Sequence, residues 1–176
     1  MSRAVLVCTV LLFIVAGCRD RPVAGPTPSL PSQVIESFTL HESSSGQRLY
    51  TLEAAKALVY ETDQRIDVND LRVLFYDKGS INSTLVADQG TIYSNSEDLV
   101  ARGHVSVKTA DSTVLLTDSL AWKNTERLVR TDAPLEIATP KGRVAGRGLV
   151  SDAGLNRIQV QSEVTGSSDY DFETER

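Results

Sequence analysis

From residue 34 to residue 166 the apolar positions recur with a period of two rather than 3.6. Leu99, Ala101, Gly103, Val105 and Val107 alternate with Val100, Arg102, His104, Ser106 and Lys108. Val114, Leu116, Asp118, Leu120 and Trp122 alternate with Leu115, Thr117, Ser119, Ala121 and Lys123. Ile158, Val160, Ser162 and Val164 alternate with Gln159, Gln161 and Glu163. Side chains of a strand point to opposite faces in turn, so this pattern predicts strands with one buried face. Clusters of turn formers separate the runs: Asp77–Ser80, Ser94–Asp98, Lys123–Glu126, Thr139–Gly142 and Ser151–Gly154. No long amphipathic helix is visible. Leu52 to Tyr60 is Ala-rich, but its flanks and its place in a repeat predict a strand.

The repeat is internal. Ala87, Asp88, Ile92 and Leu99 follow Ala54, Ala55, Val59 and Ile66 at one constant spacing, which also sets Tyr93 on Tyr60. Further along, Leu99, Leu128 and Ile158 recur at nearly equal steps, each opening a strand after a polar turn. The unit is a pair of strands with a short turn, used about four times. One hairpin cannot bury its apolar face alone, whereas stacked hairpins fold over a shared interior. Two architectures satisfy this. One is a closed sandwich or barrel with a dry core. The other is a folded sheet left open, with an apolar channel suited to lipid tails. In both, period two places Phe38, Leu40, Leu99, Val105, Val107, Leu116, Leu120, Trp122, Leu128, Val144, Val160 and Val164 on the interior face. Gly103, Gly146 and Gly148 interrupt strand patterns, where glycine marks bulges, bends or close backbone approach.

The ends differ from this middle. Arg3 precedes a short apolar run, Ala4 to Ala16, and Val15-Ala16-Gly17-Cys18 closes it. A cationic start, a short apolar core and small residues before a cut form a secretory signal. A Cys at that place reads as a lipoprotein signal, with Cys18 the residue expected to be acylated; the alternative is an ordinary cleaved signal peptide in which Cys18 is incidental. The run is too short for a membrane-spanning helix, which needs roughly 20 apolar residues. Residues 1–17 are therefore expected to be removed. Residues 18–33 follow as a spacer, with Pro22, Pro26, Pro28 and Pro31 blocking helix and ladder alike. At roughly 3 Å per residue, such a spacer holds a domain tens of Å above a lipid surface. The β-domain is expected over residues 34–166, with an acidic tail from 167 to 176.

The formal net charge is −5, and no terminal basic tract is present. Nucleic-acid binding needs clustered cations and is excluded as a reading. Cys8 lies in the discarded segment and the lipid occupies Cys18, so neither a disulfide nor a cysteine metal site is expected. His41 and His104 belong to no metal-ligand spacing, and no cofactor motif is present. Asp88 and Asp118 fall at related places of neighbouring units, which points to turns or edges, not acid–base chemistry. Without a nucleophile, base or phosphate loop, the chain reads as a non-enzyme.

Leu99-Val-Ala-Arg-Gly-His-Val-Ser-Val107, Leu116-Thr-Asp-Ser-Leu-Ala-Trp122 and Val144-Ala-Gly-Arg-Gly-Leu149 resemble, in order and spacing, the strand motifs of OstA-like periplasmic proteins. Length and the N-terminal anchor resemble the LptC branch of that superfamily rather than the soluble LptA. The resemblance covers about residues 34–166. It implies an open β-jellyroll of repeated antiparallel hairpins. It also implies lipopolysaccharide as cargo, its acyl tails held on the interior face named above. An inner-membrane ATP-driven transporter would deliver that cargo. An LptA-like bridge protein, joined by edge-strand pairing, would take it on. Many relatives keep a transmembrane helix, for which the lipid on Cys18 is the substitute here. The implied address is the periplasmic face of the inner membrane, the outer membrane being the alternative. The competing reading is a scaffolding envelope lipoprotein with a closed β-sandwich core and no lipid passage. An envelope enzyme or carbohydrate-binding domain has less support, since only 6% of residues are aromatic and no catalytic set is present.

Overall fold

The computed structural model describes residues 29–168. The lipoprotein signal, Cys18, most of the proline-rich spacer and all but the first two residues of the acidic tail lie outside them. The described residues form nine strands and no helix. In chain order these are β1 (Gln33–Ser44), β2 (Gln47–Tyr60), β3 (Arg65–Asp77), β4 (Ser80–Tyr93), β5 (Asp98–Thr109), β6 (Val114–Lys123), β7 (Leu128–Thr139), β8 (Gly142–Asp152) and β9 (Ile158–Ser168). Each strand pairs antiparallel with the next in one sheet of order β1 to β9, and β1 does not pair with β9. The sheet is open.

Local chemistry sets the turns. Ser45-Gly46 and Lys78-Gly79 all have positive φ, between 48° and 82°, as the tightest hairpin turns require. The internal repeat is visible as architecture: β2 and β4 are both 14 residues long, and their first residues, Gln47 and Ser80, stand one repeat apart. The Ala-rich Leu52–Tyr60 run lies within strand β2.

Long strands fold into a closed interior only if they bend, and they bend near their middles. Ser37 in β1, Asp70 in β3, Gly103 and His104 in β5, Gly148 in β8 and Glu163 in β9 have positive φ. Registers shift beside the same line: Val86/Gln89, Arg102/Val105, Thr117/Ala121, Thr131/Pro134 and Ala145/Arg147. Bulges like these turn a strand and intensify its twist. Together they make a crease that runs across the sheet. Pro134 fits within β7 because it sits where the ladder is already broken.

The crease folds the sheet into two arms that share one interior. Phe75 on β3 meets Trp122 on β6, with ring centroids 5.1 Å apart, although these strands are not neighbours in the sheet. Tyr50 on β2 extends the aromatic cluster to Phe75 at 6.0 Å. Leu52, Val68, Leu71, Val73, Leu99, Ala101, Leu115 and Leu149 are buried around it.

The crease also switches which parity faces inward. In β2, Tyr50, Leu52 and Ala54 are buried before it and Ala57 after it. In β4, Leu85 and Ala87 give way to Gly90 and Ile92. In β6, Leu115 and Thr117 give way to Leu120 and Trp122. The expectation that Leu116 shares a face with Leu120 and Trp122 is therefore corrected. Leu116 is 47% exposed on the outer face, and Leu115 takes the inner place with no exposure. Leu128 is corrected too: it is half-buried at the start of β7, and its neighbour Val129 occupies the core.

Candidate functional site

Among the described residues, the buried apolar side chains gather in one cluster, the interior between the arms, which they fill. Of the residues expected to line it, Leu99, Val105, Val107, Leu120 and Trp122 are buried in the core. Phe38, Leu40 and Val160 are partly buried and pack against it. Val144 and Leu128 are half-buried. Val164 is 58% exposed and, like Leu116, is no part of the buried core. Val164 and Leu116 are exposed for different reasons. Val144, opposite Gly166 in β9, pairs with buried Ile137 in β7, which places Val144, Gly166 and Val164 on the inner side. Nothing covers that side at β9, where from Ile158 to Ser167 every residue but Val160 is exposed. The inner face is thus filled in the middle strands and bare at the β9 edge.

The periodic pattern points to β5–β9 and misses most of the contribution of β2–β4. Leu52, Val68, Leu71, Val73, Phe75 and Leu85 are all core. The repeat contains the signal: Leu52 and Leu85 stand one repeat apart, as do Val68 and Ala101. Beyond the crease the correspondence slips by one position, Leu71 matching Val105, because β5 carries an extra residue at Gly103-His104.

The free ends of the arms meet along a line of lip contacts. Ser83 near the start of β4 donates its hydroxyl to the Ala153 carbonyl in the β8–β9 turn at 2.6 Å. That turn is built by Asp152, which accepts hydrogen bonds from Asn156 N (2.9 Å) and Arg157 N (3.0 Å). Partial burial of Asp152 works against its charge, yet these bonds and the Asn156 side chain hold its carboxyl below the usual range. The turn drops Leu155, at a positive φ of 54°, into the core. A second staple joins neighbouring turns: Lys123 Nζ donates to Asp98 at 2.8 Å and Asn124 N at 3.0 Å. Burial opposes ionisation of Asp98 as well, but these donors again prevail. The Tyr50 phenol is pushed well above its ordinary value, first by burial and then by the carboxylates of Glu42 and Glu97.

On the outside of the crease, His104 Nδ1 and Asp88 Oδ2 lie 2.7 Å apart. The hydrogen bond and charge of Asp88 raise the imidazole above its ordinary value, with Asp118 adding to the effect. Asp88 also lies over Gly103: a Cβ there would stand 2.6 Å from Asp88 Oδ2. So Asp88, Gly103 and Asp118 have crease roles. Gly146 serves close approach, since a Cβ there would meet Val160 Cγ1 at 2.5 Å. Among the described residues no group of His, Cys, Asp and Glu is arranged to hold a metal, and no helix is long and apolar enough to cross a membrane.

A family model described as lipopolysaccharide assembly, LptC-related, matches residues 4–170. Among solved structures, the chain is similar to LptH of Pseudomonas aeruginosa, described as the LptA-homologous periplasmic component of the conserved lipopolysaccharide transport device. Identity is 12% and the TM-score 0.53, over 67% of this chain and 93% of that one. This likeness shows the fold, an LptA-type open jellyroll. No curated protein matches the sequence. With an all-β sheet creased over one apolar interior and a family match along nearly its whole length, the chain belongs to the LptC-related lipopolysaccharide-assembly family, whose role is non-enzymatic.

Proposed function

We propose that the chain stands on the periplasmic face of the inner membrane, held by a lipid on Cys18. There it receives lipopolysaccharide from the inner-membrane ABC transporter. Acyl chains occupy the interior between the arms, along Phe38, Leu40, Leu99, Val105, Val107, Leu120, Trp122, Val144 and Val160. The cargo leaves across β9 to an LptA-like bridge protein that pairs with this edge.

The observation that carries the reading is the contrast between the middle of the sheet and its ends. The apolar inner face continues to β9 and is left uncovered there, beside a row of unpaired backbone donors and acceptors. Such an edge is a template for another strand, and pairing would extend the interior into a second domain. Lipid passage then requires the arms to part, because the middle of the interior is filled by its own side chains. That filling supports a second reading, a scaffold with a closed core. The two are separated by reconstitution. Vesicles carrying the transporter, supplied with ATP, transfer lipopolysaccharide to a soluble LptA-like acceptor when this chain is present. Val160→Arg, which places a charge on the inner face, stops transfer and leaves the β-sheet spectrum intact. Undiminished transfer by Val160→Arg supports the scaffold.

Placement has its own test. Cys18→Ser releases the protein from membranes, and the acylated form fractionates with the inner membrane. Recovery in the outer membrane contradicts the placement.

A further inference from the structure

The β8–β9 turn, residues 152–157, reaches across the seam where the lips of the folded sheet meet. It lines a cavity of about 340 Å³ together with Asn82, near the start of β4, and the aromatic pair Phe75 and Trp122. We propose that this turn is a latch. Seated, it closes the lips over the interior, and it must lift before an acyl chain can enter between the arms.

The turn is fastened lightly to the opposite arm. Among the described residues, one hydrogen bond joins the two, from the Ser83 hydroxyl to the Ala153 carbonyl. The other attachment is apolar. Leu155 is 6% exposed within the core, and Ala153 packs against the same cluster. Gly154 is buried where a Cβ would overlap the Asn82 side-chain amide, so the tip of the turn sits flush against β4.

The remaining bonds of the turn are internal. Asp152 accepts from Asn156 N at 2.9 Å, Asn156 Nδ2 at 2.6 Å and Arg157 N at 3.0 Å. Leu155 N donates to the Asp152 carbonyl at 3.0 Å. Lifting the turn breaks none of these. Leu155 is held at a φ of 54°, a left-handed conformation that a branched side chain keeps only where its surroundings impose it. The core imposes it here, and lifting removes that constraint. Beyond the turn, β9 is exposed from Ile158 to Ser167 except at Val160, so the turn can rise without stripping a packed strand. Elements that open for a ligand are drawn from such lightly held segments.

The proposal rests on the export reading for what passes the latch, but the latch itself is testable with a simple acyl chain. Asn82→Cys combined with Gly154→Cys locks it, because a Cβ at Gly154 would stand 3.2 Å from Asn82 Cγ, within reach of a disulfide. The chain's own cysteines, Cys8 and Cys18, both precede the β-domain. Trp122, the only tryptophan, is buried beside the turn and reports entry through quenching by a brominated fatty acid. In the full chain reconstituted in vesicles, the oxidised double variant should lose this quenching, and reduction should restore it. Ser83→Ala should speed quenching about fivefold, the worth of one hydrogen bond. This variant decides the question if circular dichroism shows that the double variant does not fold. Equal quenching of the oxidised and reduced forms, no quenching of the wild type, or an unchanged rate in Ser83→Ala overturns the latch. Lipopolysaccharide transfer separates the two ideas. If oxidation leaves transfer intact while Val160→Arg stops it, the latch falls and export stands. If Val160→Arg transfers undiminished, export falls and quenching still decides the latch.

Discussion

Ser83 and Ala153 are 70 residues apart in sequence and joined by a 2.6 Å hydrogen bond from hydroxyl to carbonyl. Ser83 lies near the start of β4 on one arm, and Ala153 belongs to the β8–β9 turn on the other. The bond therefore ties the lips of the folded sheet. Ser83 is 1% exposed, so its removal leaves a part-buried carbonyl without that partner. Ser83→Ala is expected to cost roughly 1–2 kcal/mol of stability. A lowered urea midpoint at unchanged slope is the reading. An unchanged midpoint would mean that the lips are held elsewhere.

Glycines at positive φ divide into two kinds. Gly79, at φ 82°, has open space where a Cβ would be, so Gly79→Ala carries only the left-handed penalty of about 1 kcal/mol. Gly103, at φ 77°, has Asp88 in that space. Gly103→Ala must also displace Asp88 and disturb its pairing with His104, raising the cost to roughly 2–3 kcal/mol. Thermal midpoints of the two variants test this, and equal shifts would remove the crease from the account.

His104 supplies a pH signature. Its folded-state pKa is raised by Asp88, so the pair's contribution is fully present below the ordinary imidazole value of about 6.5. It is lost as pH rises through the raised folded value. In NMR titration His104 should titrate above the ordinary value, and Asp88→Asn should bring it down. Stability of the wild type relative to Asp88→Asn should be greater at acid than at alkaline pH. An imidazole indifferent to Asp88→Asn would contradict the contact.

The β9 edge separates stability from assembly. Val164 is 58% exposed, so Val164→Arg should change stability by no more than about 0.5 kcal/mol. On the proposed pairing it lies on the uncovered inner side, where the interior continues into the partner. Co-purification with an LptA-like protein should therefore fall sharply while the melting curve stays in place. Retained co-purification would move the docking edge away from β9.

How much of this was legible in sequence depends on whether local rules hold. Turn chemistry and alternation fix the hairpins, and the constant step that carries Leu52 onto Leu85 carries the repeat into equal strands β2 and β4. Alternation fails at Leu116 because it assumes a continuous pleat. One bulge between Thr117 and Ala121 reverses the inward parity, so a residue that belongs inside on one side of the crease belongs outside on the other. Gly103 and Gly148 announce such bulges in sequence, whereas Ser37, Asp70 and Glu163 adopt positive φ with side chains that give no such notice. Leu155 is invisible to periodicity because it reaches the core from a turn. The aromatic cluster of Tyr50, Phe75 and Trp122 depends on how the arms close, which no single strand encodes.

The central claim is that lipid chains travel between the arms. A photo-crosslinking amino acid placed at Val105 or Leu120, both buried in the interior, should capture lipopolysaccharide when the transporter is supplied with ATP. The same residue placed at the outward-facing Arg102 or Leu116 should not. Capture from Arg102 or Leu116 alone, with none from Val105 or Leu120, would contradict the account.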